Sequence, residues 1–361
     1  MTATAVAPAA TTSNTAGHLS KWTPWVLLLV SLAIAAVIFT FANIGGDPAD
    51  FNIAMTLVVG MILYMVLIFV ISTVAESRRH ATDRLMTALV STAFVIALLP
   101  LISLLYTVVI AGLVRFDAEF FSSSMRNVVG EGGGAVHALW GTLLITLGAT
   151  IISVPIGLMT SIYLVEYGEN GKLARGITFL VDVMTGIPSI VAGLFIYSVF
   201  ALIMGPGTRL GIMGSLALSV LMIPVVVRGS EELLRIVPNE LREAAYALGV
   251  PKWLTILKVV LPTAIAGITT SIMLAIARVI GETAPLLLTV GIVNSMNLNM
   301  FSGQMATLPV FTYMQAKYPG IPAEAFIDRA WASALALILI VMILNLLARF
   351  IAKVFAPKTG R

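Results

Sequence analysis

Eight apolar stretches, most of them long enough to cross a bilayer, divide this chain and dictate what it can fold into. They cover residues 22–41, 55–74, 85–114, 138–165, 177–203, 212–227, 263–290 and 330–354, and a spanning helix requires about 20 such residues. Inside lipid no water satisfies backbone N–H and C=O groups, so each stretch must close its own hydrogen bonds as a helix. Only 11% of the residues are charged, less than half the roughly 25% of soluble domains. The predicted class is an all-α polytopic membrane protein with about eight transmembrane helices.

The chain has no cysteine, which excludes disulfides, thiol chemistry and cysteine metal sites. No other metal-ligating pattern is evident. The formal net charge of +4 comes from basic residues scattered at span ends, the place for topology signals, and does not suggest nucleic acid. Residues 1–21 are Ala- and Thr-rich and nearly uncharged, the composition of a disordered tail. The 22–41 stretch outruns the ~7–15 residues of a signal-peptide core, and only Lys21 leads into it. It is expected to stay as the first span.

Placing the N-terminus inside the cell puts fourteen of the 21 Lys and Arg residues in the cytoplasm and five outside, with Arg278 and Arg349 within spans. The positive-inside rule then sets both termini, and the long polar loop at 228–262, in the cytoplasm of a multi-pass cell-membrane protein. Two regions differ in character. Residues 22–84 form a two-span hairpin without intramembrane charge, whereas Pro100, Pro155, Pro188, Pro224 and Pro285 interrupt the spans from residue 85 onward. Such breaks are tolerated where neighbouring helices or cavities satisfy the backbone. Residues 85–361 are therefore expected to be a six-span functional core and 22–84 an addition to it.

The loop at 228–262 has more order than a connection needs. Val237-Pro238-Asn239-Glu240 reads as a helix start, with Glu240 near the positive end of the dipole. Leu241, Ala244, Ala245 and Leu248 then form one apolar stripe. Gly249 suits a left-handed position after the helix, and Pro251 opens a second helix carrying Trp253 and Leu257. Periodicity alone also fits an amphipathic linker resting on headgroups. The spacing is more specific: Glu243-Ala244-Ala245, three residues, Gly249, nine residues, then Val259-Val260-Leu261-Pro262. That pattern resembles the EAA motif of bacterial ABC-importer permeases. The resemblance implies that Glu243, Ala244, Ala245, Gly249, Leu261 and Pro262 couple the spans to a separate ATP-hydrolysing subunit. The chain's own Gly168-Glu169-Asn170-Gly171-Lys172-Leu173 lacks the glycine spacing and Ser/Thr of a phosphate-binding loop.

A second informative segment holds Arg278 and Glu282, four residues apart and expected on one face of the seventh span. A central Arg costs about 2.5–3.5 kcal/mol on translocon scales, so both should face protein or water. They read either as an ion pair that fixes packing or as a bidentate grip on a passing oxyanion. Arg228 and Glu231 sit where the sixth span meets the cytoplasm, and Asp182 is a further buried candidate in the fifth. Arg228 also reads as a snorkelling interfacial residue.

Leu241–Gly249, Ala277-Arg278 with Gly281–Leu287, Ile162–Gly168, Glu131-Gly132-Gly133-Gly134 and Pro188–Phe195 together resemble the PstA family, one of two permease types in bacterial phosphate-specific ABC importers. The likeness runs from about residue 85 to the C-terminus; the hairpin at 22–84 departs from the family's usual six spans. It implies a six-helix permease core, and it implicates Arg228, Glu231, Arg278 and Glu282 in phosphate passage. It also implies a PstC-like second permease, two ATP-binding subunits and an external phosphate-binding protein as partners, within membrane lipid. No cofactor is expected on this chain, with ATP-Mg on the partner ATPases, and the chain itself is not expected to be an enzyme. The rival readings are a permease for another oxyanion or small nutrient, and a non-transporting scaffold or sensor subunit.

Overall fold

The computed structural model describes residues 19–42, 52–168 and 171–355. Most of the expected N-terminal tail lies outside them. The chain divides into two compact units, Met1–Leu105 and Tyr106–Arg361.

In the first unit, α1 (Thr23–Ala42) packs along α2 (Ile53–Ala75), and α3 (Arg78–Leu113) follows after a two-residue turn. Glu76 fixes that turn. Its carboxylate accepts from Leu19 N at 2.8 Å, Ser72 Oγ at 2.8 Å, and Arg84 Nε and Nη2 at 2.9 and 2.8 Å. The Arg84 guanidinium is the main reason the Glu76 carboxyl is drawn down to about 2.

The second unit continues from the end of α3 through α4 (Ala118–Ser122) and α5 (Val136–Ile162), which runs into a π-helical turn at Tyr163–Tyr167. Next come α6 (Lys172–Thr185), α7 (Ser189–Met204), α8 (Gly211–Ile236), α9 (Asn239–Ala247) and α10 (Lys252–Thr255). A second π-helical turn, Ile256–Val260, leads to α11 (Leu261–Val279), α12 (Ala284–Thr289), α13 (Leu308–Lys317) and α14 (Ala323–Phe355). Helix α8 is the axis, with α5, α7 and α11 packed on it. Small residues allow the close approach of α5 and α8. Ser215 Oγ donates to Ile145 O at 3.0 Å, and one turn later Ser219 Oγ reaches Ala149 O at 3.4 Å. Such hydrogen bonds and close contacts replace the hydrophobic drive that lipid does not supply. Ile145, Leu218, Met222, Val226, Ile276 and Leu286 fill the core around this seam.

Seven helices among the described residues are long and apolar enough to cross a membrane, or eight if α6 and α7 count as one bent span. Two windows expected to be continuous helices are broken. In 177–203 the chain turns by 107° between α6 and α7, at Gly186-Ile187-Pro188. In 263–290 helix α11 stops at Val279, and Pro285 sits in the first turn of the separate α12. In each break a proline, which has no N–H for a helix interior, stands at the start of the second helix. Pro100, Pro155 and Pro224, expected to interrupt their spans as well, lie inside continuous helices. The two breaks belong together, because α7 packs on α12 with Gly193 against Pro285. A Cβ on Gly193 would lie 2.6 Å from the Pro285 Cα.

Candidate functional site: an elbow and two charged clusters

The elbow forms where the loop pattern predicts it. Pro238 takes the extended backbone position before α9. The far end closes as a Schellman motif, with Gly249 at φ +78°. Gly249 N donates to Tyr246 O at 2.9 Å and Val250 N to Ala245 O at 3.1 Å, satisfying two carbonyls the helix end would otherwise leave open. Nothing in the structure crowds Gly249, so glycine is required there for its backbone alone. Pro251 then starts α10. The expected apolar stripe turns outward. Ala245 is buried, but Leu241, Ala244 and Leu248 are exposed, as are Tyr246, Trp253 and Leu257. Glu243 and Pro262 are exposed and Leu261 is half-buried.

A buried clamp, absent from the sequence reading, ties the elbow to the bundle. Arg242 Nη2 and Nε reach Glu166 Oε1 at 2.8 and 3.1 Å, with the two side chains only 12% and 4% exposed. The same guanidinium donates to Leu234 O at 3.0 Å, Val237 O at 2.6 Å and Asn239 Oδ1 at 3.2 Å. One side chain of the EAA helix thus grips both the end of α5 and the end of α8. The Glu166-Tyr167-Gly168 segment gave the only sequence hint, and its partner lies 76 residues away.

Arg228 and Glu231 meet as their spacing suggests, at 2.9 Å. Glu231 also holds Arg235 at 2.8 Å, and Arg228 forms a second ion pair with Asp182 of α6. Glu231 is 8% exposed and Asp182 59% exposed, so Asp182 is not the buried group expected from its place in the fifth window. Arg278 and Glu282 do not share a helix face, because α11 ends between them and Glu282 N bonds Val279 O. No ion pair joins them among the described residues, and Arg278 is exposed at the end of α11. Gly229 of α8 lies against Ser271 of α11. At 1.5 Å per residue this places Arg278 roughly 10 Å further along the bundle than Arg228. The four charged candidates therefore form two levels rather than one cluster.

The glycine-rich segment before α5 encloses arginines. Arg329, fully buried, donates to Gly130 O at 2.8 Å, Gly132 O at 2.9 Å and Gln315 Oε1 at 3.2 Å. Arg115 Nη2 reaches Gly133 O at 2.9 Å and Glu119 at 3.0 Å. Gly132 and Gly133, at φ +80° and +69°, turn their carbonyls onto these cations.

A bundle of membrane-length helices broken at Pro188 and Pro285, with an outward apolar elbow, a half-buried Arg228 on its central helix and an exposed Arg278, is a multi-span membrane protein. The chain belongs to the family of binding-protein-dependent transport system inner membrane components, which it matches over residues 153–361. A relative from Mycobacterium tuberculosis (strain ATCC 25618 / H37Rv), phosphate transport system permease protein PstA 1, is 47% identical over 76% of this chain and 90% of its own length. The phosphate transport system permease protein PstA of Yersinia pestis is 38% identical over 80% of this chain and 96% of its own. The fold is shared with a chain of a bacterial alginate ABC transporter, crystallised with its pentasaccharide-bound periplasmic protein. The TM-score is 0.53 at 13% identity, covering 78% of this chain and 97% of that one. The protein is thus a multi-pass inner-membrane transport component, working within a transporter complex rather than as an enzyme.

Proposed function

We propose that this chain is the permease subunit of an ATP-driven importer of inorganic phosphate, with residues 85–361 as the permease core and 22–84 as an added hairpin. The observation that carries the reading is the elbow: a short, capped helix turns Leu241, Tyr246, Leu248, Trp253 and Leu257 outward while a buried ion pair anchors it to two core helices. An exposed apolar surface on a rigid mount is the form a docking site takes. Its occupant is one of two ATP-binding subunits, which hold ATP-Mg; closure of those subunits moves α9 and, through Arg242, the ends of α5 and α8. The second permease is PstC-like and covers the face on which Arg278 is exposed. An external phosphate-binding protein delivers the substrate, and both termini are cytoplasmic. Arg278 and Arg228 offer successive guanidinium contacts to the anion, with Glu231 orienting Arg228 and Glu282 near the first level. Bidentate N–H···O contacts suit a tetrahedral oxyanion, which a lysine would hold only as a point charge.

The test is uptake of radiolabelled phosphate into vesicles holding the full complex, with and without ATP. Arg278→Gln should reduce uptake at least tenfold while the complex still assembles and hydrolyses ATP. Uptake at the unmodified rate would reject the pathway role, and uptake indifferent to ATP would reject the importer.

A further inference from the structure

The first unit carries a site that transport by the second does not use. The beginning of α1, the middle of α2 and the first turns of α3 enclose a cleft of about 360 Å³, within the ~300–1,000 Å³ range of small-molecule pockets. Trp25, Leu28, Met61, Ile68 and Val95 give it apolar walls, and Arg84 lines it as well. Arg84 is held in place rather than used up. Its Nε and Nη2 bond Glu76, while Nη1 has no partner among the described residues. Leu19, four residues before α1, lies at this same end, because its N bonds the Glu76 carboxylate. Lys21, exposed and without an ion pair among the described residues, precedes Trp25 by four residues. Glu76 balances Arg84, so Lys21, four residues before the cleft-lining Trp25, is the surplus positive charge ahead of α1. Arg78 and Arg79 open onto a separate hollow with Thr82 and Met86, on the other side of α3 by its 100° per residue.

We infer that this cleft binds one anionic phospholipid, with an acyl chain along Leu28, Ile68 and Val95 and its phosphodiester on the free edge of Arg84 and on Lys21. Lipid supplies the apolar chain wherever a membrane helix leaves a groove; the cationic head of the groove adds selection. A headgroup with a net negative charge balances the surplus, whereas a choline or ethanolamine headgroup brings its own cation toward Lys21 and Arg84. Basic pockets between membrane helices recognise anionic headgroups in this way. Glu76 acts as a positioning residue, since its two-point contact keeps the guanidinium turned toward the cleft.

The experiment is native mass spectrometry of the full transporter complex, purified in detergent and incubated with equal phosphatidylglycerol and phosphatidylcholine. One phosphatidylglycerol per copy of this chain should be retained in preference to phosphatidylcholine. Lys21→Gln should reduce that preference about fivefold, the weight of one charge near an anionic lipid. Ser91→Leu, which fills the cleft wall without touching the Glu76–Arg84 pair, should abolish retention of both lipids. Because the chain has no cysteine, Ser91→Cys gives a handle unique within it; alkylated with benzophenone maleimide and irradiated, it should insert into an acyl C–H bond and label lipid. Equal retention of the two lipids, an unchanged preference in Lys21→Gln, retention in Ser91→Leu, or cross-linking of Cys at this position to a partner helix would each overturn the assignment.

Discussion

Removing the Glu166 carboxylate tests most directly how the elbow is joined to the bundle. Arg242 and Glu166 stand 2.8 Å apart with 12% and 4% of their side chains exposed. Two unit charges at ~3 Å attract by about 5–6 kcal/mol at an effective dielectric near 20. Desolvation offsets most of that when the pair forms, so the intact pair adds little net stability. Deleting one partner is different, because it strands a charge that has already left water, typically at about 3–5 kcal/mol. In Glu166→Ala, Arg242 keeps the carbonyls of Leu234 and Val237 and the side chain of Asn239. Three neutral acceptors soften the loss, which places the expected destabilisation near ~3 kcal/mol. Thermal unfolding of the purified complex should show it. The mechanical role is separated by Glu166→Met with Arg242→Leu, an apolar pair of similar volume that should restore much of the stability. If the clamp passes movement from the elbow to α5 and α8, this double variant regains thermal stability but leaves ATP hydrolysis uncoupled from uptake. Recovery of coupled uptake together with stability would refute the reasoning and reduce the clamp to a brace.

Gly249→Ala should cost roughly 1–2 kcal/mol, the penalty of a left-handed position for an L-residue, read as faster amide exchange across α9 and lower coupled uptake; Gly249→Pro should be worse. Arg329→Gln should expose the loss of contacts to Gly130 and Gly132, at about 1–3 kcal/mol for each buried carbonyl left open, as lower thermal stability and proteolysis near residues 130–134. Glu76 makes the first unit sensitive to acid. Its carboxyl is held at about 2 against an ordinary 4.5, a lowered folded-state value, so its contribution is complete above 4.5 and disappears as pH falls from there toward 2. Amide protection over residues 76–84 should fall in that window, and Glu76→Gln should remove the dependence.

The fold was legible in the sequence wherever the controlling physics is local. Hydropathy located the spans because each helix must satisfy lipid by itself, and Gly249 with Pro251 announced the elbow because backbone conformation acts within a few residues. The breaks at Pro188 and Pro285 were visible as interruptions, yet the windows containing them still read as single spans. Hydropathy averages over a bend, since both arms stay apolar. The spacing of Arg278 and Glu282 misled for the same reason: a four-residue spacing implies one face only if the helix continues, and α11 stops at Val279. The Glu166–Arg242 and Asp182–Arg228 pairs span 76 and 46 residues. Such pairs are set by packing, which no local pattern records. The outward turn of Leu241 and Leu248 was hidden likewise, because an apolar stripe does not say whether its cover is the same chain or another.

The strengths of these contacts determine which part of the second unit moves as a body and where it yields. Helices α5 and α8 share the serine–carbonyl seam and the main core, and both ends of the Arg242 clamp land on them. A force on α9 therefore meets a stiff pair. Helix α6 is attached to α8 more weakly, through a small apolar cluster of Ala174, Val181 and Val227 and through Asp182 to Arg228. With Asp182 more than half exposed, that ion pair is worth about 0–1 kcal/mol, several-fold less than the loss on breaking the buried clamp. The weaker joint is thus the one at Arg228, and breaking it would not strand the cation. Glu231, held from its other side by Arg235, keeps a carboxylate on Arg228 when Asp182 departs. Under the pathway role proposed for Arg228, the guanidinium edge that Asp182 releases is the one offered to an incoming anion, which would tie movement of the elbow to exposure of a binding group through one difference in burial.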